Sequence, residues 1–360
     1  MKALVLVGGL GTRLRPLTIN TPKAMMPVLN KPFMAHVVDQ LVRHGVDEVI
    51  FTRGHLAGKM EDYFGGYYRG CKILFVNETR PLGTAGGIKN CERYLDGTFL
   101  ALNGDVFSTI DLTAMIEQHK ERQAVATIAL TPVDNPAAFG LVETGNDGMI
   151  KRFIEKPKPE EITTDLINAG CYVLEPEILS YITPDTNTSI ERETFQLLLK
   201  HMRPFYSFVD RGSYWIDMGN REKYFQLNMD MLNGRCRCAS TPAGGICIGE
   251  GTSVDSSAVI TGNVLVGSNC LIKSGVTITG PVILGDRCSI GYNSFIERSI
   301  LWSDVELGGE TEITETIIAD HCRLSAGGRI SDSALADGVY IPPTYSLDGS
   351  KVWPGTVLSN

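Results

Sequence analysis

From Ile248 onward an aliphatic residue recurs at every sixth position: Val254, Ile260, Val266, Ile272, Ile278, Leu284, Ile290 and Ile296. Four residues after most of these stands a small or β-branched residue: Thr252, Ala258, Val264, Cys270, Val276, Val282, Cys288 and Ser294. Glycine follows the aliphatic position at Gly249, Gly267, Gly285 and Gly291. A strict period of six leaves few folds open. It makes each hexad one face of a three-sided solenoid, with the aliphatic residue inward and turns at the Gly, Asn, Asp and Ser positions. A β-sandwich would instead space its strands by about 8–12 residues and show no hexad. The pattern predicts a left-handed parallel β-helix. Its register slips after Ile296 and partly resumes at Leu307, Ile313 and Ala319.

The first part of the chain follows another rule. Ala3–Val7, Glu48–Thr52, Lys72–Val76, Thr98–Asn103 and Val125–Thr131 read as short apolar strands, with helical stretches such as Met34–His44 and Leu112–Arg122 between them. Such alternation argues for a parallel, helix-covered sheet, in which ligands sit beyond the carboxyl ends of the strands. At 360 residues the chain is too long for one ordinary core, so two domains are expected, 1–235 and 236–360. The join follows the helical stretch Arg221–Leu232, with Gly234 as a C-cap and Pro242–Gly245 as a loop.

Composition removes several function classes. A net charge of -8 argues against bulk nucleic-acid or membrane-surface binding, which needs a basic face. The apolar start of the chain breaks at Gly8-Gly9 and Arg13, too early for a signal peptide, and no segment reaches the roughly 20 apolar residues of a membrane span. The nine cysteines form no CxxC pair, and Cys236 and Cys238 have a poor zinc spacing. Most of them read as buried thiols in a reducing, cytoplasmic setting.

Against that acidic background the first loop is basic. Gly8-Gly9-Leu-Gly11-Thr12-Arg13-Leu-Arg15-Pro-Leu-Thr18 follows the first apolar strand directly, and Thr21-Pro22-Lys23 comes soon after. Glycines let backbone N–H groups approach a phosphate, and the cations neutralise it. A Walker loop would need G-x-x-x-x-G-K-[ST], which is absent. The dinucleotide fingerprint lacks its third glycine, because Leu14 stands there, and the second strand ends at Thr52-Arg53 without an acid. The loop points to a polyphosphate substrate.

This loop resembles the signature of the sugar-1-phosphate nucleotidyltransferases, the nucleotide-sugar pyrophosphorylases. Further stretches are similar in order and approximate spacing: Leu82-Gly-Thr-Ala-Gly86, Asn103-Gly-Asp105, Phe139-Gly140, Phe153-Ile-Glu155-Lys156-Pro157, Asn168-Ala-Gly170 and Tyr214-Trp-Ile-Asp217-Met-Gly219. The resemblance covers nearly the whole chain, since many members also carry a hexapeptide β-helix. It implies an α/β fold with a Rossmann-like mixed sheet (GT-A-like), followed by the left-handed β-helix.

It also implies a reaction. The sugar-1-phosphate oxygen attacks the nucleotide α-phosphate in line and pyrophosphate leaves, so catalysis is positioning and charge neutralisation. The resemblance implies Arg13 and Lys23 as catalytic cations and Asp105 and Asp217 as ligands of Mg²⁺, which retains water and needs only one or two carboxylates. It implies Gly8, Gly9, Gly11, Thr12, Gly83, Thr84 and Gly86 on the nucleotide side, and Gly140, Glu155, Lys156 and Asn168 on the sugar-phosphate side. Trp215 is expected to pack, Arg15 to support the loop, and His321 to be structural. Ser108-Thr109 stand where relatives often have a further acid. No Gln lies in Glu78–Gly87, where relatives that read thymine or uracil often place one. That inclines the reading to GTP and mannose 1-phosphate, with glucose-1-phosphate thymidylyl- or uridylyltransfer as the alternative. A non-catalytic regulatory subunit would lack Arg13, Lys23 or an aspartate, and an acyltransferase would use the solenoid. Assembly into a homo-oligomer, or regulation, is the expected role of the β-helix.

Overall fold

The computed structural model describes residues 1–9, 11–53, 58–155, 157–236 and 245–359, with the side chain of Glu155 outside the description. Its contacts divide the chain into two compact units. One is Met1–Gly9 with Met34–Asp217, and the other is Leu10–Phe33 with Met218–Asn360. The segment after the first strand therefore groups with the C-terminal part of the chain.

The first unit is built on a mixed sheet. Lys2–Leu6 lies at its centre, parallel to Glu48–Arg53 on one side and to Phe99–Asn103 on the other. Cys71–Asn77 extends the parallel part beyond Glu48–Arg53. These strands are nearly continuous Val, Ile, Leu and Phe because helices cover both faces of a parallel sheet. Leu4, Ile50, Ala101, Phe99 and Ile88 are all buried in one core. Beyond Phe99–Asn103 the sheet departs from the all-parallel expectation. Leu166–Leu174 runs antiparallel to it and to Ala126–Pro132, and Gly140–Thr144 pairs antiparallel with Ile150–Glu155. No crossover helix separates Gly140–Thr144 from Ile150–Glu155, so only a hairpin can join them. The sheet is mixed, as the family resemblance implied.

In the second unit three parallel sheets stack coil upon coil. One holds seven strands from Ile246–Ile248 to Lys351–Val352; the other two hold six each. From the second coil on, both inward positions of the hexad are buried: Val264, Val266, Cys270, Ile272, Val276, Ile278, Val282, Leu284, Cys288, Ile290 and Ile296 line one core. Ile248 is 48% exposed, because the terminal coil is stacked on one side only among the described residues.

The register slip has a simple geometry. Ile278 pairs with Ile296 eighteen positions on, whereas Ile296 pairs with Ile313 after seventeen, and Ile283 pairs with Ile300. One corner of each later coil has lost a residue. The shortened corner is turned by Arg298, Glu315 and Asp332, all with positive φ, and by Gly349. The triangular core continues past the slip through Leu307, Ile313, Leu324, Ile330 and Ile341.

Among the described residues no helix is long and apolar enough to cross a membrane. The described cysteines are free, and all but Cys247 are buried. Cys238 lies outside the described residues.

Candidate active site

Asp105 occupies the turn between Phe99–Asn103 and Val106–Ser108, at the carboxyl end of the central parallel strands. Its neighbour Gly104 donates its N–H to the Leu6 carbonyl at 2.9 Å. A Cβ on Gly104 would stand 2.5 Å from that oxygen, so only glycine fits there. This fastens the Asp105 turn to the end of the first strand.

Trp215–Asp217 pairs antiparallel with Val106–Ser108, and Asp217 sits opposite Val106. Cross-strand partners lie about 5 Å apart. Asp217 therefore arrives beside the residue that follows Asp105, and both aspartates are partly exposed. Among the described residues no group of three or more His, Cys, Asp or Glu is gathered that could hold a metal ion. What the fold offers is a pair of hard carboxylates, the donor set that suits Mg²⁺ when substrate phosphates and water complete its shell.

At the end of the first strand Gly8 and Gly9 are exposed, and a Cβ on Gly9 would meet open space. Glu78, just past Cys71–Asn77, flanks this end. Its Oε2 lies 3.6 Å from where a Gly8 Cβ would stand, and its Oε1 lies 2.9 Å from a Gly87 Cβ. Burial pushes the Glu78 carboxyl above the ordinary carboxylate range, opposed by a hydrogen bond from the Leu82 N–H. No sequence motif singled it out; the absence of Gln from this stretch was the available signal.

The helix Gly83–Asn90 begins against Thr186–Thr188. The N–H groups of Ala85 and Gly86 donate to the Thr188 carbonyl at 2.9 and 3.4 Å. A Cβ on Gly83 would lie 2.6 Å from that carbonyl oxygen, and one on Gly86 would lie 2.4 Å from the Thr186 oxygen. Glycine is required at both positions by the protein's own packing. Thr84 Oγ1 accepts the Ile190 N–H and donates to Glu191.

On the other wing, Gly140 opens its strand opposite Glu155. Lys156 lies outside the described residues. Asn168 is on Leu166–Leu174 just before an irregularity in pairing that runs to Tyr172. Its Oδ1 accepts the Gly170 N–H at 2.9 Å, and its Nδ2 donates to the Tyr172 hydroxyl at 2.8 Å. Gly170 has φ +70° and packs against Asn103. Trp215 donates its Nε1–H to the Ala169 carbonyl and meets Phe139 edge-on, a packing role that holds this bend beside the Asp217 strand.

The second unit carries the basic segment. Gly11 is left-handed at φ +60°, and a Cβ there would lie 3.3 Å from Lys23 Cβ and from Thr18 Cγ2. The Thr18 hydroxyl donates to the Gly11 carbonyl at 2.8 Å. Gly11 thus closes the turn Thr12–Leu14 onto Lys23–Met25. Leu14 and Leu17 are buried beneath it, while Thr12, Arg13 and Arg15 are exposed and Lys23 is partly so.

Farther along, Pro27–Asn30 is tied to the rest of this unit. The Tyr224 hydroxyl donates to the Pro27 carbonyl and accepts from Trp302 Nε1. Asn228 accepts the Leu29 N–H, and the Asn30 amide donates to the Leu284 carbonyl at 2.7 Å. The helix Arg221–Leu232 and the solenoid therefore brace the segment that bears the arginine. His321 lies exposed beside Asp304 on the solenoid.

Comparison with known proteins agrees with this architecture. Residues 2–234 match the protein-family model described as Nucleotidyl transferase, and residues 243–347 match that of the EIF2B subunit epsilon LbH domain, a left-handed β-helix. The chain is 38% identical over 268 residues to a mannose-1-phosphate guanylyltransferase of Mycobacterium tuberculosis, covering 72% of this chain and 73% of that one. It is 34% identical over 257 residues to a UTP–glucose-1-phosphate uridylyltransferase of Synechocystis, covering 67% and 66%. Among solved structures, HddC from Yersinia pseudotuberculosis superposes with a TM-score of 0.54 at 29% identity, covering 63% of this chain and 97% of HddC.

Proposed function

The chain belongs to the nucleotidyl transferase family, and on that premise we propose that it transfers a guanylyl group from GTP to mannose 1-phosphate, forming GDP-mannose and releasing pyrophosphate. The observation that carries the reaction class is the strand pairing that sets Asp217 opposite Val106, next to Asp105 at the carboxyl end of the central strands. The 38% identity to a mannose-1-phosphate guanylyltransferase supports the choice of sugar and base.

In this reading Asp105 and Asp217 hold Mg²⁺, which supplies charge neutralisation at the phosphates. Arg13 neutralises the β- and γ-phosphates and the leaving pyrophosphate, and Lys23 meets the α-phosphate as charge builds there. Gly8, Gly9, Gly11 and Thr12 let the backbone approach the triphosphate, while Gly83, Thr84 and Gly86 carry the base and ribose. Gly140, Glu155, Lys156 and Asn168 bind the sugar phosphate. No covalent intermediate is needed: the sugar-phosphate oxygen forms its bond to the α-phosphorus as the bond to pyrophosphate breaks. The functional division is 1–235 for catalysis and 236–360 for a β-helix that assembles a homo-oligomer in the cytoplasm.

Glu78 reads the base. Guanine presents two adjacent donors, N1–H and the exocyclic amine, and a carboxylate accepts both, whereas uracil and thymine present one N–H flanked by carbonyl oxygens. The reader must be ionised. Because the Glu78 carboxyl titrates above the usual range, KM for GTP is expected to rise as pH falls through that raised value, and to improve as pH rises past it. Glu78→Gln should flatten this dependence and cut the preference for GTP over UTP by about tenfold or more. Steady-state kinetics from about pH 5 to 8 check both; an unchanged GTP/UTP ratio in the variant would remove Glu78 from base reading.

A further inference from the structure

A hydrogen-bonded chain crosses the sheet unit from the nucleotide helix to the sugar strand, and one carboxylate stands at its centre. Glu191 lies in the π-helical turn Ile190–Thr194. Its Oε2 accepts from the Thr84 hydroxyl at 3.0 Å and from the Ser189 hydroxyl at 2.8 Å. Its Oε1 accepts from the Tyr172 hydroxyl at 3.2 Å. Tyr172 is fully buried, and its oxygen receives the Asn168 amide N–H. Thr84 is on the helix assigned above to the nucleotide, and Asn168 is on the strand assigned to the sugar.

The direction of this chain follows from valence. An ionised carboxylate only accepts, so the Tyr172 hydroxyl must donate to Glu191. Its oxygen is then left as an acceptor, and the Asn168 amide must turn its NH₂ toward it. That orientation places the amide oxygen on the Gly170 N–H, as observed. One N–H and one lone pair of Asn168 remain for a sugar hydroxyl pair. The irregular pairing between Asn168 and Tyr172 is a device of the kind that re-aims a side chain beside an active site. A turn of π-helix is likewise common at functional sites.

We propose that Glu191 is a positioning residue that ties the nucleotide helix to the sugar strand and sets the orientation of the Asn168 amide. This rests on the sugar-side reading of Asn168 given above. Two arms leave Glu191, and they are separable. Tyr172→Phe cuts only the sugar arm, whereas Glu191→Ala cuts both.

The test measures kcat and both KM values with whichever nucleotide and sugar 1-phosphate the wild-type protein turns over best, so that a wrong substrate assignment leaves it intact. Tyr172→Phe should raise KM for the sugar 1-phosphate about tenfold and leave KM for the nucleotide within about twofold. Glu191→Ala should raise both. In the double variant the sugar KM should be no worse than in the more affected single variant, because both changes release the same amide. Glu191→Gln keeps one acceptor oxygen and should recover part of the sugar KM lost in Glu191→Ala. A purely structural Glu191 would lower the melting temperature without this split. A sugar KM within about twofold of wild type in Tyr172→Phe, or additive effects in the double variant, overturns the proposal.

Discussion

Replacing Asp105 by Asn should lower kcat for pyrophosphate release by about a thousandfold, roughly 4 kcal/mol of transition-state stabilisation. The physical reason is charge. The reaction crowds the oxygens of a triphosphate and of a sugar phosphate around one phosphorus, and the amide retains the shape of the carboxylate without its negative charge. The Asp105 turn is set by Gly104, whose N–H is bound to the Leu6 carbonyl and whose missing side chain lets it sit there. That turn is fastened through the main chain of Gly104, so the variant should keep the far-UV circular dichroism spectrum of the parent. Asp217→Asn should behave in the same way, since Asp217 reaches this point through main-chain pairing with Val106–Ser108. In the proposed role the two aspartates act as a unit, so the double variant should lose little more than either single one. Near-normal turnover in Asp105→Asn would remove the aspartate pair from the chemistry.

The second large effect is expected at Arg13. It is exposed on a turn closed by Gly11 against Lys23, so its removal leaves no hole in the packing. Arg13→Ala should lower kcat/KM by about a hundred- to a thousandfold, as loss of a preorganised charge partner to a developing anion does. Arg13→Lys should recover only part of this, because an ammonium cannot make the planar, two-pronged contact of a guanidinium with phosphate oxygens. Thermal unfolding separates this from a folding defect: both variants should melt within a few degrees of the parent. Gly11→Ala should resemble Arg13→Ala in kinetics but also lose stability, since a Cβ there crowds Lys23 and Thr18 at a positive φ.

Much of this architecture was legible in the residues, and the parts that were not have identifiable causes. The solenoid announces itself because a hexad with an inward aliphatic residue has one geometric solution, and Val264 to Ile296 fill its core as the period demands. The period alone could not tell that the coil shortens from eighteen residues to seventeen after Ile296. That change lies in a corner turned by Arg298, Glu315 and Asp332, where no glycine marks the positive φ. The parallel strands were readable from their apolar runs. The antiparallel strands Gly140–Thr144 and Leu166–Leu174 were not, because strand direction depends on connections rather than on composition.

The residues proposed to function divide along the same line. Asp105, Asp217, Arg13 and Lys23 stand in recognisable motifs. Glu78 and Glu191 take no role from any motif; Gly8, Gly87, Thr84 and Tyr172 become their neighbours only in the fold. Nor could the sequence pattern show that Pro27–Asn30 is held by Tyr224, Asn228 and the solenoid carbonyl of Leu284. Each of those bonds joins a side chain to a main-chain group distant in sequence, which no residue-type pattern shows. Gly83 and Gly86 carry a packing demand from Thr186 and Thr188 in addition to any demand from a ligand.

Guanylyl transfer to mannose 1-phosphate is tested by a matrix of GTP, dTTP, UTP, ATP and CTP against mannose, glucose and galactose 1-phosphates, scored by kcat/KM for pyrophosphate release in the presence of Mg²⁺. GTP with mannose 1-phosphate should be the best pair. A better turnover of UTP or dTTP with glucose 1-phosphate would contradict the guanylyl assignment and the role of Glu78, while absence of pyrophosphate release with every pair would contradict the reaction itself.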